Sequence, residues 1–469
     1  MVYEDIYFLS YEEAYYCAKQ QNKMDNGYRL QICYYDGEYK DSEFINLVHL
    51  PIDNLSEILA FGTYRFPTKI SFTGTNFSDE IKELITNNFN ESLRATQVLR
   101  NKCNNYYFNM ALTQKPDFKE PLRFFLQANV NTQVMQYVTK NIADTLKEKG
   151  FDVLLRYIYG IEDLHSLKEY VEFNPHVTIN INHLNNDYIN SEVFNFIWFQ
   201  DPMPILLDNT IPKIRKNDYI YSLVNVIDSL LEKKNIPFSK QGFCINKNIF
   251  YEDSEIEREK KVIFIGSSYL GNIPQNDNTK ELIESILVLY NKGSFFSDKI
   301  IKNLSKKFDT DLDLIKTRVI PYVIRDFSVL TLCELDIPYT VEIYGAGWDV
   351  YPQIKPFYHG VLEYGKTLNE VYNTATFVFA PHQNYILQQR TLEGAACGAI
   401  PILYDCRAYS DEKTYEEAIC YFKTKDELEK ILTDKNSLKK DLLNLVNEND
   451  YSNIVDRIIN TIKEKKGAR

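Results

Sequence analysis

The sequence predicts an α/β protein of two facing Rossmann-like domains preceded by an α/β accessory domain, and three observations predict it. Strand-like and helix-like stretches alternate from Leu122 to Phe199. A strand, loop, helix, strand pattern recurs over residues 376–405. The length, 469 residues, exceeds one ordinary core and suits two or three domains. Alternation of this kind specifies parallel sheets, and open parallel sheets place ligands at the carboxyl ends of their strands.

Composition narrows the function classes. Hydrophobic residues make up 44% and charged residues 25%, as in ordinary globular chains. A net charge of -12 and a pI near 5.2 argue against nucleic acid or an anionic membrane as the main partner, since either requires a basic face. The longest apolar runs, such as Val193 to Phe199, are far too short for a membrane span. The start, MVYEDIYFLSYEE, is acidic and has no signal-peptide pattern, and the eight cysteines show no C-x-x-C spacing. Reduced thiols, no structural zinc and a cytoplasmic location are therefore expected. The 35 tyrosines and 28 phenylalanines would suit stacking on sugars, although the accompanying excess of Asn, Lys and Ile also follows from biased genome composition.

Taken in order, residues 1–117 carry strand-like runs at Ile6–Leu9, Leu30–Tyr35 and Ile70–Phe72, and helical ones at Glu80–Phe89 and Ser92–Lys102, with Lys115-Pro116-Asp117 as a linker. Leu122–Leu126 is a buried strand. Gln133–Lys149 is a helix with Val134, Tyr137, Val138, Ile142 and Leu146 on one face, closed by Gly150. Phe151–Tyr157, His176–Ile181 and Phe194–Phe199 complete the first Rossmann-like half, with ligand loops at Gln127-Ala128-Asn129, at His183 and at Gln200-Asp201-Pro202. His183 and Asp201 are the catalytic candidates. A strand-end His can serve as a general base or be structural, and Asp201 before two prolines can equally serve a turn or an N-cap.

The charged run Glu252–Lys261 leads into the first strand of the second half, Val262–Ile265, which ends in Gly266-Ser267-Ser268. A tight turn there lets backbone approach a phosphate, although an ordinary turn reads the same way. Asn278 with Glu281 predicts a capping box for the helix reaching Tyr290. Residues 291–336 read as a helical insertion, in which Asp309-Thr310-Asp311 imitates a metal motif but has no preceding strand, so helix-start carboxylates and no bound metal are expected. Tyr339–Tyr344 is the next strand, and Tyr344 and Gly345 at its end join the binding candidates.

The most informative stretch is Thr376–Asp405. Phe377–Phe379 and Ile400–Leu403 are strands, and Leu387, Thr391, Leu392, Ala395 and Ala396 recur at helical spacing, with Gly398 placed for a left-handed cap. A helix starting near Gln388 aims its positive end into the loop His382-Gln383-Asn384-Tyr385-Ile386. Arg390 in its first turn is electrostatically unfavourable for a helix on its own. The arrangement makes sense if a diphosphate neutralises both, with Glu393 receiving sugar hydroxyls; a surface Arg-Glu pair is the plain alternative.

Arg390-Thr391-Leu392-Glu393-Gly394-Ala395-Ala396-Cys397-Gly398-Ala399-Ile400-Pro401 resembles the R-x-x-E-x-x-A-C-G-x-x-P segment of the glycosyl transferases group 1 domain, particularly its spore-maturation-type bacterial variant. The resemblance implies a GT-B fold, a donor nucleotide sugar bound by Glu393, and a diphosphate cradled by the preceding loop, here Asn384 and Tyr385. Many relatives carry a second Glu at the position of Tyr385 and a Gly-rich loop, both absent here. Asn248-Ile249-Phe250, the Trp198 to Pro202 stretch, Phe357–Tyr372 and Tyr451–Arg457 resemble further family segments.

The expected organisation is an accessory domain (1–117), an acceptor domain (118–260), a donor domain (261–430) and C-terminal helices crossing back to the acceptor domain (431–469). The expected function is metal-independent transfer of a sugar from a nucleotide donor, with no other cofactor, to a protein or glycan acceptor. Residues 1–117 serve either acceptor recognition or a homodimer contact. A nucleotide-sugar epimerase and a non-catalytic sugar-binding surface protein are the alternatives, and fold by itself separates none of these.

Overall fold

The computed structural model describes residues 5–23, 32–34, 40, 47–51, 67, 69–129, 132–158, 164–383, 385–410 and 412–467. They form two compact units, residues 1–241 with 457–469, and residues 242–456.

The first unit holds two parallel sheets. The smaller is β1 (Ile6–Phe8), β2 (Ile32–Tyr34), β3 (Leu47–His49) and β4 (Lys69–Ser71) in the order β3-β2-β1-β4. Where two helices are expected after it, one runs unbroken over Asp79–Thr113. The stretch contains neither Gly nor Pro, so nothing interrupts the hydrogen-bond ladder once Ser78 has capped its start. Its C-terminal turns pack Ala111, Tyr107 and Met110 against Phe125 and Tyr170. The expected linker is pinned as well: Asp117 Oδ1 accepts from Arg123 Nη2 and lies 2.8 Å from His176 Nε2, while His176 Nδ1 accepts from the Arg123 amide at 3.0 Å.

The larger sheet comprises β5 (Arg123–Asn129), β6 (Asp152–Ile158), β7 (Val177–Ile181), β8 (Phe194–Phe199), β9 (Asp218–Ser222) and β10 (Ser239–Lys240), ordered β10-β9-β8-β7-β5-β6. β7 and β8 are buried along their whole length, as central parallel strands covered on both faces must be. Their polar residues are paired: Asn195 Oδ1 accepts from Thr178 Oγ1 and Asn180 Nδ2, and Asn195 Nδ2 donates to Asp218.

The second unit is built on β11 (Glu259–Ile265), β12 (Thr340–Tyr344), β13 (Ala375–Phe379), β14 (Ile400–Tyr404) and β15 (Cys420–Phe422), all parallel, ordered β12-β11-β13-β14-β15. Alternate residues enter two cores. Val262, Phe264, Phe377 and Phe379 face one, and Ile263, Val378 and Leu403 the other. In both larger sheets the order reverses beside the first strand, between β5 and β7 and between β11 and β13, so each unit has a switch point where a crevice opens.

Residues 291–336 are helical and line the first of these cores through Ile301, Leu304, Val319, Ile324 and Leu332. The capping residue of the Asp277–Asn291 helix is Asn276, which accepts from the Thr279 amide, whereas Asn278 donates to the Phe308 carbonyl. The N-cap preference therefore acts two residues earlier than the capping-box spacing indicates. Asp309 stands in the left-handed region at the end of the Asp298–Phe308 helix, and Asp311 caps the next one. Within the following run, π-helical turns at Ile315–Val319 and Val323–Phe327 flank Pro321, whose missing N–H breaks the regular ladder.

Candidate functional site

The switch point of the second unit gathers most of the residues expected to bind a donor. Gly266, Ser267 and Ser268 follow β11, Tyr344 and Gly345 close β12, and Tyr385, Arg390 and Glu393 follow β13. Asn384 lies outside the described residues. The two strand ends interlock, with the Gly266 amide donating to the Tyr344 carbonyl at 2.9 Å and Ser268 N to the Ala346 carbonyl at 2.9 Å. Only a glycine fits at 345, because a Cβ there would stand 2.3 Å from the Gly266 carbonyl oxygen and φ is +120°. Trp348 locks the same turn by donating its indole N–H to that oxygen at 2.6 Å. The Tyr344 side chain points elsewhere and donates to Glu342 at 2.7 Å, so it reaches the turn through its carbonyl.

Arg390 does arrive at this turn. It sits in the first turn of the Gln389–Ala396 helix, and its Nη1 is 2.6 Å from the position a Gly266 Cβ would occupy. That helix is seated against β13 by Gly394, where any Cβ would meet Val378 at 2.4 Å. Glu393, 4% exposed, accepts from the Tyr372 hydroxyl at 3.0 Å. Burial lifts its carboxyl to about 7, against the opposing pull of Tyr372, Gln389 and Arg390.

Arg325, Asp326, Tyr372 and His382 belong to the same site; the first three were not among the expected binding residues, and His382 was expected only as part of the loop before the helix. Arg325 and Asp326 come from the second π-helical turn. Asp326 ties down the turn after β11, accepting from Ser268 Oγ at 2.5 Å, from the Tyr269 amide at 3.0 Å and from Tyr351 at 2.8 Å. Arg325 lies with its guanidinium carbon 3.6 Å from the Tyr269 ring centre and points Nη1 at the Ser267 carbonyl. Burial, and then the neighbouring Arg390, bring its pKa down to about 9. The same two arginines add to burial in holding His382 well below its ordinary value, so it is neutral. The available signal was a charged Arg-Asp pair inside the otherwise apolar run from Val319 to Leu332. Such a pair on a buried helix has to be paid for by something, here a turn and a cation site.

The first unit carries a cavity of about 610 Å³ at its own switch point, lined by Gln127 and Asn129 from β5, by Asn180, Asn182 and His183 at the end of β7, and by Asp201 after β8. The structure thus brings His183 and Asp201 into one pocket. Asn182, at φ +64°, receives the Gln200 and Asp201 amides on Oδ1 and donates Nδ2 to Asp201 Oδ2 at 2.9 Å. Asp201 is not an N-cap, since the short helix that follows is capped at Met203. Neutral amides line the pocket together with apolar Met135, Ile158, Ile181 and Met203.

Fold and site define an α/β protein with two Rossmann-like parallel sheets and a third, small parallel sheet, carrying a cationic crevice at one switch point. Residues 327–449 match the family described as "Glycosyl transferase-like", so the second unit holds a glycosyltransferase-like enzyme domain. No curated protein sequence gives a significant match. Similar solved structures include sucrose-phosphate synthase from Thermosynechococcus elongatus (10% identity, 74% of this chain and 100% of that one, TM-score 0.44). Two others are Anabaena HepE in complex with UDP and glucose (8%, 73% and 100%, TM-score 0.44) and a glycosyltransferase from Rickettsia africae (10%, 74% and 99%, TM-score 0.40). No helix among the described residues is long and apolar enough to cross a membrane.

Proposed function

We propose that the protein is a cytoplasmic glycosyltransferase that moves a sugar from a nucleotide donor held by the second unit to a protein or glycan acceptor held by the first. The observation that carries this reading is the meeting of Arg390, which lies in the glycosyl transferase-like segment, with the Gly266 turn at the switch point of the second unit, with Glu393 one helical turn behind it. In the reaction the bond from the anomeric carbon to the diphosphate oxygen breaks and the bond to an acceptor hydroxyl oxygen forms. The hydroxyl proton passes to a base, and the nucleoside diphosphate leaves with the electron pair. Arg390 and the helix end stabilise the charge that develops on the leaving group, which makes a divalent metal unnecessary.

In the first unit the amide-lined pocket receives the acceptor, with Asp201 and His183 as candidates for the base. Residues 1–117 extend acceptor recognition to a larger partner. The kinship to the spore-maturation-type variant rests on the Arg390–Pro401 segment.

Calorimetric titration with nucleotide sugars tests the donor assignment. Arg390→Ala and Glu393→Ala should each weaken binding by roughly 1.5–3 kcal/mol while the fold is retained. Unchanged affinity in both variants would sink it.

A further inference from the structure

We propose that Arg325 is a second cation of the donor site and that it tunes the site to nucleoside diphosphates over monophosphates. This rests on the donor reading given above and adds a residue that sequence reasoning did not assign.

Arg325 is 4% exposed, and its Nε is buried without a hydrogen-bond partner among the described residues. Arg390 Nη1 is in the same condition. Both guanidinium groups converge on one turn: Arg390 lies against Gly266, and Arg325 Nη1 points at the Ser267 carbonyl at 3.4 Å. A long hydrogen bond to one carbonyl does not satisfy a five-donor group. The adjacent carboxylate, Asp326, is engaged by Ser268, the Tyr269 amide and Tyr351. Two like charges held together in a desolvated crevice, each with an open donor, are a poor arrangement for stability and a good one for an anion.

Approach from two different elements, one guanidinium at Gly266 and the other at Ser267, offers the pair to two phosphate groups. Arg390 approaches the turn from the helix after β13, and Arg325 from the crossover helix between β11 and β12, so the two forks belong to separate elements around the same backbone. One fork engages one phosphate, and the other is left for a second. A monophosphate satisfies one fork and leaves the other buried and unpaired.

The test is calorimetry on the full chain with matched probes, UDP against UMP, GDP against GMP, ADP against AMP and dTDP against dTMP, in the wild type, R325Q and R325K. For the base that binds, the wild type should prefer the diphosphate by about 30-fold, the contribution of one charge-assisted contact. R325Q should bring that preference to within about 3-fold, with monophosphate affinity changed by less than about 3-fold. Its melting temperature without ligand should equal or exceed that of the wild type, because a repelled buried cation has been removed.

A folded R325Q that keeps the wild-type preference, or that loses both nucleotides equally, overturns the assignment. So does a wild type that binds both equally, although the donor reading then stands. If R325Q does not fold, R325K decides: it keeps the charge without the planar fork, and its preference should fall several-fold, whereas an unchanged one overturns the proposal. A wild type that binds no nucleotide or nucleotide sugar overturns the donor reading and this inference together.

Discussion

The Tyr372 hydroxyl donates to Glu393 Oε2 across 3.0 Å, with both side chains almost fully withdrawn from water. Burial lifts the carboxyl from 4.5 to about 7, so the native state holds this proton more tightly than the unfolded chain does. The stabilising contribution is complete below pH 4.5 and is lost as the pH rises through 7. By about 1.4 kcal/mol per pKa unit it amounts to about 3 kcal/mol. E393Q should therefore show a flatter stability profile between these limits, measured by denaturant unfolding across pH. Donor affinity should run the other way, because sugar hydroxyls donate to the carboxylate, and it should weaken as the pH falls below 7 in the wild type only. A wild-type profile as flat as that of E393Q would contradict the assignment.

Gly345→Ala places a methyl group 2.3 Å from the Gly266 carbonyl oxygen at a φ that side chains avoid. It should cost about 2–4 kcal/mol in urea unfolding. Gly271→Ala, where nothing stands within 4 Å, is the control and should stay within about 0.5 kcal/mol. Equal stability of the two variants would mean that the interlock of the β11 and β12 ends is loose.

Turnover should survive chelation. The cations at the Gly266 turn are arginines, while Asp309 and Asp311 are occupied in ending and starting helices. Donor hydrolysis or transfer assayed before and after EDTA should agree, and full loss restored by manganese would assign a metal role to carboxylates.

A chain begun at Lys115 should be markedly less stable than the full chain. It would lack Ala111, Tyr107 and Met110 from the core around Phe125 and Tyr170, and the Leu112 carbonyl that accepts from Asn190. Losses of about 3–5 kcal/mol follow from removing large contacts of this kind. A truncated chain that melts at the full-length temperature would show that the segment is dispensable to the fold.

Legibility in the sequence followed the range of the interaction involved. The strands β6 to β8, the helix after β13 and its Gly398 cap are set by neighbours within a few residues, through apolar periodicity and glycine placement, and they are where the sequence indicates them, whereas β5 runs on through Gln127-Ala128-Asn129, expected as a loop, because these residues pair with β6. β3 and β9 passed unnoticed because Leu47–His49 is short and Asp218–Ser222 carries polar residues that only the Asn195 and Arg215 contacts explain. Glu393 and Arg390 stood out because a charged pair at a helix start has a local electrostatic meaning.

What the sequence alone determined, then, is the parallel α/β class and the one crossover whose helix start carries Arg390 and Glu393. The tertiary structure decided which other groups meet it. Arg325 and Tyr372 lie on stretches of chain separate from the His382 loop, and nothing in their local sequence says that they share its crevice. They meet because the order β12-β11-β13-β14-β15 puts the first and third strands side by side and sends the crossovers to opposite faces at that point. Burial in the assembled unit then raises the Glu393 carboxyl, lowers His382 and leaves two guanidinium groups short of partners. Desolvation is a property of the packed fold, which is why the charge state of the site could not be read from the residues in line.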